Sequence, residues 1–296
     1  MKARMFATVA MLLCVILCLA ERRECALEVS TVPAKFRQGQ CFILRVTPQS
    51  YAQSVQCAWQ GKTYTLQPAG DAWEAFLPAP SGIKPGDHTI SIAAQNPEGA
   101  TENAQHSVNI LKKQFAVQRM TMKRSTLSLY TYRGVEEEYK AIRGALRLET
   151  PARMWEGRFE MPCDGRVKTT FGSRRIINRK ETHTHRGVDI SAPEGAPVVA
   201  SNAGVVSLAR EDFRLHGKTV VIDHGQGLTS LYLHLSTVSV AEGQAVQKGE
   251  QIGAVGRTGA STGPHLHWGF YVHTISVDPL FVLYLTKLPQ VFPVPP

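Results

Sequence analysis

Between residues 27 and 111, apolar and polar positions alternate in short runs. Phe42, Leu44 and Val46 interleave with Cys41, Ile43 and Arg45, and the same period of two recurs at Tyr64 and Leu66, Ile90 and Ile92, and Val108 and Ile110. That period puts successive side chains on opposite faces of a half-buried strand. Gly61-Lys62, Gly70-Asp71, Pro85-Gly86 and Asn96-Pro97-Glu98-Gly99 divide the runs with turn chemistry. Short strands at this spacing predict an immunoglobulin-like β-sandwich, a spacer or binding module with no catalytic group evident. The period then changes. In a connector over residues 112–157, Val135, Tyr139, Ile142 and Leu146 recur at helical spacing, with Glu136, Glu137, Glu138, Lys140 and Arg143 between them. This predicts an amphipathic helix packed by its apolar stripe on a neighbouring element, its acidic first turns opposing the helix dipole. Pro151 closes the segment. From 158 to 288 strand patterns return, at 198–201, 205–209, 219–223, 229–235, 251–255 and 265–272. Gly249, Gly253, Gly256, Gly259 and Gly263 imply tight hairpins there, and residues 289–296 form a Pro-rich tail. The fold class is mainly β: a sandwich, a helical connector and an antiparallel C-terminal sheet.

The first twenty residues read as a secretory signal peptide. Lys2 and Arg4 precede an apolar run from Met5 to Ala20, which ends in Cys18-Leu19-Ala20 and then Glu21-Arg22-Arg23-Glu24. Left uncleaved, the run is close to the shortest membrane span and would tether the chain. A lipoprotein signal is excluded, because Leu13, Leu17 and Glu24 precede Cys14, Cys18 and Cys25 where a small residue is needed. Either way the bulk of the chain is exported, to the periplasm or cell envelope. Its remaining thiols, Cys25, Cys41, Cys57 and Cys163, then meet a compartment that permits disulfides. Cys41 and Cys57 share one β-module and are candidates to pair, although spacing alone cannot fix connectivity. The formal charge of +9 becomes +7 once Lys2 and Arg4 are removed. A basic exported protein suits an anionic polymer. Its basic residues are scattered rather than clustered with aromatics, which argues against nucleic acid as a partner.

Five side chains carry candidate chemistry. His185 and Asp189 stand in His185-Arg186-Gly187-Val188-Asp189, His234 in Leu231-Tyr232-Leu233-His234-Leu235, and His265 and His267 in Gly263-Pro264-His265-Leu266-His267. In a strand, His265 and His267 project to one side with Leu266 on the other. Leu231, Leu233 and Leu235 would likewise share an apolar face, with Tyr232 and His234 opposite. His185 and Asp189 share a face if their segment stays extended. Two histidines and one aspartate match the three protein ligands of a catalytic zinc site with an open water position. The other two imidazoles titrate near neutrality and suit proton transfer. His183 lies close to this group, and His216 falls in a loop that rims the cleft. His224 is read as part of a turn, His88, His106 and His273 as surface positions, and Tyr232 as a packing residue.

Taken together the motifs resemble the LytM/lysostaphin-type zinc endopeptidases of peptidoglycan, over roughly residues 160–281. The resemblance runs through Phe171-Gly172-Ser173-Arg174, His185-Arg186-Gly187-Val188-Asp189-Ile190, Ala192-Pro193-Glu194-Gly195-Ala196-Pro197-Val198, Asp223-His224-Gly225, the Tyr232–His234 segment, Gly256–His267 and Val277-Asp278-Pro279. It implies a LytM/lysostaphin-type peptidase domain over 158–288 that holds one Zn2+ per chain through His185, Asp189 and His267, with His234 and His265 as the catalytic pair. It also implies cleavage of peptide cross-links, with peptidoglycan stem peptides and cross-bridges as partner; the accessory layout suggests D-alanyl–diaminopimelate bonds. Some members of the family have lost ligands and act as non-catalytic scaffolds that activate other wall hydrolases, whereas all five residues are present here. Trp268-Gly269 departs from the aromatic-Glu pair of many members and touches no ligand. The β-module and helix ahead of the peptidase are expected to cover or orient its cleft.

Overall fold

The computed structural model describes residues 27–49, 51–148 and 150–288, without the side chains of residues 181–183. The stretch read as a signal peptide, Cys25 and the Pro-rich tail lie outside the described residues, as does the side chain of His183. Among the described residues no helix is long and apolar enough to cross a membrane.

Nine strands build the N-terminal half: β1 (Leu27–Val32), β2 (Phe36–Arg37), β3 (Cys41–Pro48), β4 (Ser54–Trp59), β5 (Lys62–Thr65), β6 (Gln67–Ala69), β7 (Ala72–Pro78), β8 (Gly86–Gln95) and β9 (Thr101–Leu111). They form two sheets, ordered β1-β3-β7-β6 and β2-β9-β8-β4-β5. Phe42, Leu44 and Val46 from the first sheet meet Cys57, Trp59, Ile90 and Ile92 from the second in one buried core. This is the β-sandwich that the period-two pattern predicts.

The opposite face of β3 is not left to water. Cys41 and Ile43, together with Phe76 of β7, join a second core with Trp155, Phe159 and Phe171. A strand apolar on both faces must be covered on both, and here the second cover is the C-terminal half of the chain. This geometry corrects the Cys41–Cys57 pairing. Cys57 faces into the sandwich, Cys41 faces out of it, and both are free, buried thiols, as is Cys163. Burial pushes the Cys41 thiol well above its usual range and that of Cys57 to about 12, so both stay protonated.

The connector supplies β10 (Val117–Met120), the short α1 (Arg124–Leu127) and α2 (Val135–Ala145). The apolar stripe of α2 behaves as its spacing predicts, with Val135, Ile142 and Ala145 buried. Glu138 departs from its expected role as a charge on the exposed face: it is only 2% exposed.

The C-terminal half contains β11 (Arg166–Thr169), β12 (Arg174–Ile177), β13 (Lys180–Thr184), β14 (Val188–Ser191), β15 (Pro197–Val199), β16 (Gly204–Arg210), β17 (Lys218–Gly225), β18 (Leu228–Leu235), β19 (Thr237–Val238), β20 (Ala245–Val246), β21 (Gln251–Ala254), β22 (Leu266–Val272) and β23 (Ile275–Val277), followed by α3 (Pro279–Leu285). The main antiparallel sheet runs β11-β14-β22-β18-β17-β16-β20, with β23 beside β22. One of its faces packs Ile190, Leu266, Trp268, Phe270 and Tyr232 into the core shared with the sandwich. The other presents Leu208, Val221, Leu231, Leu233 and Tyr271 to Ile142 and Leu146 of the connector. Every strand expected from sequence in this half is found, within three residues at each end.

Candidate metal centre and cleft

Sheet register assembles the site. β22 lies between β14 and β18, and its His267 stands opposite Asp189 on one side and Leu233 on the other. With Leu266 in the core, His265 and His267 project from the other face, as period-two reasoning predicts. His185 arrives by a different route. It lies just before β14 and is clamped by the Phe171-Gly172-Ser173 turn: Gly172 N–H donates to His185 O and His185 N–H to Ser173 O, each at 2.9 Å. The chain must pass close to β22 at this point. A Cβ on Gly187 would stand 2.4 Å from Trp268 O and 2.8 Å from His267 Nε2, so only glycine fits.

Three ligand-type atoms converge. His185 Nε2 lies 2.8 Å from Asp189 Oδ1 and 2.9 Å from His267 Nδ1, and the latter is 3.0 Å from the same carboxylate oxygen. His185 Nδ1 faces Thr170 O at 3.2 Å. A carbonyl can only accept, so Nδ1 carries the proton and Nε2 keeps its lone pair for the centre. Asp189 is held from behind, because Arg175 donates to Oδ2 at 2.6 Å and leaves Oδ1 facing the imidazoles. Burial pushes the Asp189 carboxyl up. The facing His185 and His267 rings outweigh it and hold the group well below the usual carboxylate range. Burial pushes His267 down to about 4 despite its bond to Asp189, so the ring is neutral and able to ligate. Among the described residues this is the one group of three or more such donors within reach of a common ion.

His234 and His265 flank the trio, with ring centroids 5.0 Å apart, and His265 Nε2 is 3.9 Å from Asp189 Oδ1. Each directs Nδ1 at a carbonyl, Thr258 O for His234 and Gly263 O for His265, both at 2.8 Å. Each therefore keeps a free Nε2. Burial and the neighbouring imidazoles push His234 down to about 3. All five candidate residues are thus brought together, but His234 gets there against expectation. Leu233 and His234 of β18 stand opposite the single Thr219 of β17, a bulge, and His234 has φ +65°. The bulge breaks the alternation: Leu235 turns into the core with Tyr232, and His234 emerges beside Leu231 and Leu233 on the cleft side.

His185, His234 and His267 line a cleft of about 1200 Å³ walled on one side by Tyr130, Tyr139 and Ile142 of the connector. His216 lines it, as its loop position suggests. His224 lies at the end of β17, buried in the core, rather than in a turn, with Nδ1–H donated to Ala203 O at 2.8 Å and Nε2 2.7 Å from Ser230 Oγ. Tyr232 is fully buried, its hydroxyl bonded to Ser201 and Ser230. His273 is not an isolated surface residue either, because it packs against Tyr64 of the sandwich at 4.8 Å. Sequence reasoning missed Arg175 and Glu138. Both act through contacts far along the chain, and no local pattern marks them.

The same stretch of chain matches known proteins. Residues 183–279 match the model of peptidase family M23. This segment is a peptidase M23 domain. Among curated relatives, the DD-carboxypeptidase/endopeptidase Mpg of Neisseria meningitidis serogroup B is 42% identical over 117 residues, 40% of this chain and 27% of that protein. The peptidoglycan DD-endopeptidase ShyA of Vibrio cholerae is 40% identical over 116 residues, 39% of this chain and 27% of that protein. The chain thus spans about a quarter of the length of these relatives. The structure of a peptidase M23 from Pseudomonas aeruginosa superposes with a TM-score of 0.62 at 27% identity, covering 83% of this chain and 94% of that one. The likeness to that structure includes the sandwich as well as the M23 domain.

Proposed function

We propose that the chain is a zinc-dependent endopeptidase that hydrolyses peptide cross-links of bacterial peptidoglycan, with D-alanyl–diaminopimelate bonds as the target and the cell envelope as its place of action. In this reading residues 158–288 carry the chemistry. The observation behind it is the convergence of His185 Nε2, Asp189 Oδ1 and His267 Nδ1 within 3.0 Å of one another, beside two further imidazoles with free Nε2 atoms. Lone pairs aimed at a single point repel one another unless a cation lies between them. Zn–N and Zn–O bonds of about 2.0–2.1 Å at tetrahedral angles separate ligand atoms by about 3.3 Å, so the trio needs only a few tenths of an ångström to open. Two neutral imidazoles and one carboxylate suit zinc and leave it net positive charge.

A zinc ion held there supplies Lewis acidity, polarising the scissile carbonyl and acidifying water. The protein's own part follows from its hydrogen bonds. Thr258 O and Gly263 O hold the Nδ1 protons of His234 and His265, so each ring accepts or donates a proton only at Nε2. One ring removes a proton from the attacking water, and the other steadies the developing charge or protonates the leaving amine. Burial keeps His234 unprotonated at neutral pH, which suits it to receive a proton. Arg175 fixes the orientation of Asp189.

The test joins metal content to product analysis. The wild type is expected to carry one zinc per chain and to release cleaved products from defined cross-linked muropeptides. His265→Ala is expected to keep the zinc and lose cleavage by about 10²-fold or more. Stoichiometric zinc with no cleavage by the wild type would favour a scaffold that binds wall peptides. Absence of both would refute the proposal.

A further inference from the structure

Glu138 is a buried carboxylate that the proposed chemistry leaves without a role. It projects from α2 and gathers donors from a loop seventy-odd positions further along the chain. The backbone N–H groups of Arg214, Leu215 and His216 all donate to it, the last two at 3.1 Å, and His216 Nδ1 donates at 2.8 Å. The Tyr132 hydroxyl donates as well. A carboxylate saturated by three consecutive amides fixes the backbone of that loop far more tightly than a surface ion pair would.

That loop in turn carries one anchor of His234 and is tied to the other. His216 O accepts the His234 N–H at 3.2 Å. The second anchor, Thr258 O, is tied to the loop through Thr258 Oγ1, which accepts Lys218 N–H at 3.0 Å and donates to Leu235 O at 2.7 Å. Leu215 O accepts Ala260 N–H at 2.8 Å, and Gly217 packs so closely on Thr258 that a Cβ would meet Oγ1 at 2.4 Å. The anchors matter because His234 is not in a relaxed conformation. A left-handed φ of +65° is unfavourable for any residue with a Cβ and persists only where its surroundings over-determine it.

We infer that Glu138 is a positioning residue for His234: the connector helix, by capping the 214–216 loop, holds a catalytic imidazole of the peptidase in its bulged, left-handed conformation. The inference rests on the reading of His234 as a proton carrier. It makes the connector part of the active site's construction rather than a removable cover.

The experiment uses the full chain. Glu138→Gln presents an NH2 to backbone donors and loses one acceptor. The expected result is a fall in kcat of about 10-fold to 10²-fold, the scale of a small misplacement of a catalytic group. KM and one zinc per chain are expected to persist, and Glu137→Gln, on the exposed neighbour, is expected to leave kcat unchanged. An unchanged kcat in Glu138→Gln would overturn the inference. So would a raised kcat, which would make the helix a latch, or loss of zinc, which would place the damage at the metal trio. Hydrogen exchange on the wild type needs no variant to fold. The amides of Leu215, His216 and His234 are expected to exchange in step with those of α2, and independent exchange would sink the coupling. Wild-type activity in His234→Ala would instead refute the role of His234 and leave the exchange result to judge Glu138.

Discussion

A histidine buried as a neutral hydrogen-bonding group ties stability to pH. His224 is fully buried between Ala203 O and Ser230 Oγ, and burial pushes its pKa down to about 4. The unfolded chain binds a proton at this ring below about 6.5, whereas the folded chain resists it until about 4. The folded pKa is depressed, so the contribution is fully present above pH 6.5 and is lost as pH falls from there toward 4. At about 1.4 kcal/mol per unit, the loss amounts to roughly 3 kcal/mol by pH 4. Urea unfolding at a series of pH values checks this. His224→Gln is expected to be less stable than the wild type at pH 7, and the gap is expected to narrow steadily below pH 6.5. A gap independent of pH would mean that the ring titrates normally in the fold. The same scale shows what a sequence discloses. His265 and His267 are legible because two positions in a strand share a face whatever the surroundings. The orientation of His234 is not, because the bulge that turns it is set by how β18 registers against Thr219 of β17. Arg175 lies in a strand whose pattern gives no hint of Asp189, fourteen positions away, as its partner.

Elements resolve more clearly than their individual polar residues. The period of α2 is visible in Val135, Tyr139, Ile142 and Leu146, and the helix ends within a residue of where that pattern stops. Its neighbour is not visible in the pattern: Ile142 packs against Leu208, Val221, Leu231, Leu233 and Tyr271 of the main sheet. Nor is the inward turn of Glu138, since three successive glutamates look alike until a facing loop offers donors to one of them. The packing carries a prediction. Ile142 is 6% exposed, and Ile142→Ala removes a branched side chain from a site walled by strands that cannot collapse into the space. The cost is expected to be about 2–4 kcal/mol in chemical denaturation. A cost under about 1 kcal/mol would mean that the helix is only loosely laid against the sheet, and would weaken any role for it in holding the cleft.

At the scale of the whole molecule, the alternation in β3 was legible, but it conceals a second interface. Cys41 and Ile43 read as the outer positions of a sandwich strand, where polar residues belong; their apolar character makes sense only once Trp155, Phe159 and Phe171 cover them. The junction is pinned at its margin by Lys113 and Asp278, 2.8 Å apart, and by Asp278 N–H donating to Gly39 O at 2.7 Å. A core shared between two halves of a chain couples their unfolding, because neither can open without exposing the apolar face of the other. The sandwich and the peptidase sheet are therefore expected to melt in one calorimetric transition. Phe76 tests this, since it belongs to the sandwich by sequence and to the shared core by contact, with its ring 5.6 Å from Trp155. Phe76→Ala is expected to cost about 3–5 kcal/mol and to lower the single Tm by roughly 5–10 °C, with Trp155 fluorescence and the loss of sheet signal moving together. Should the variant split the melt in two and leave the later transition at the wild-type temperature, the halves would be independent folding units. The connector would then have to hold the cleft without support from the sandwich.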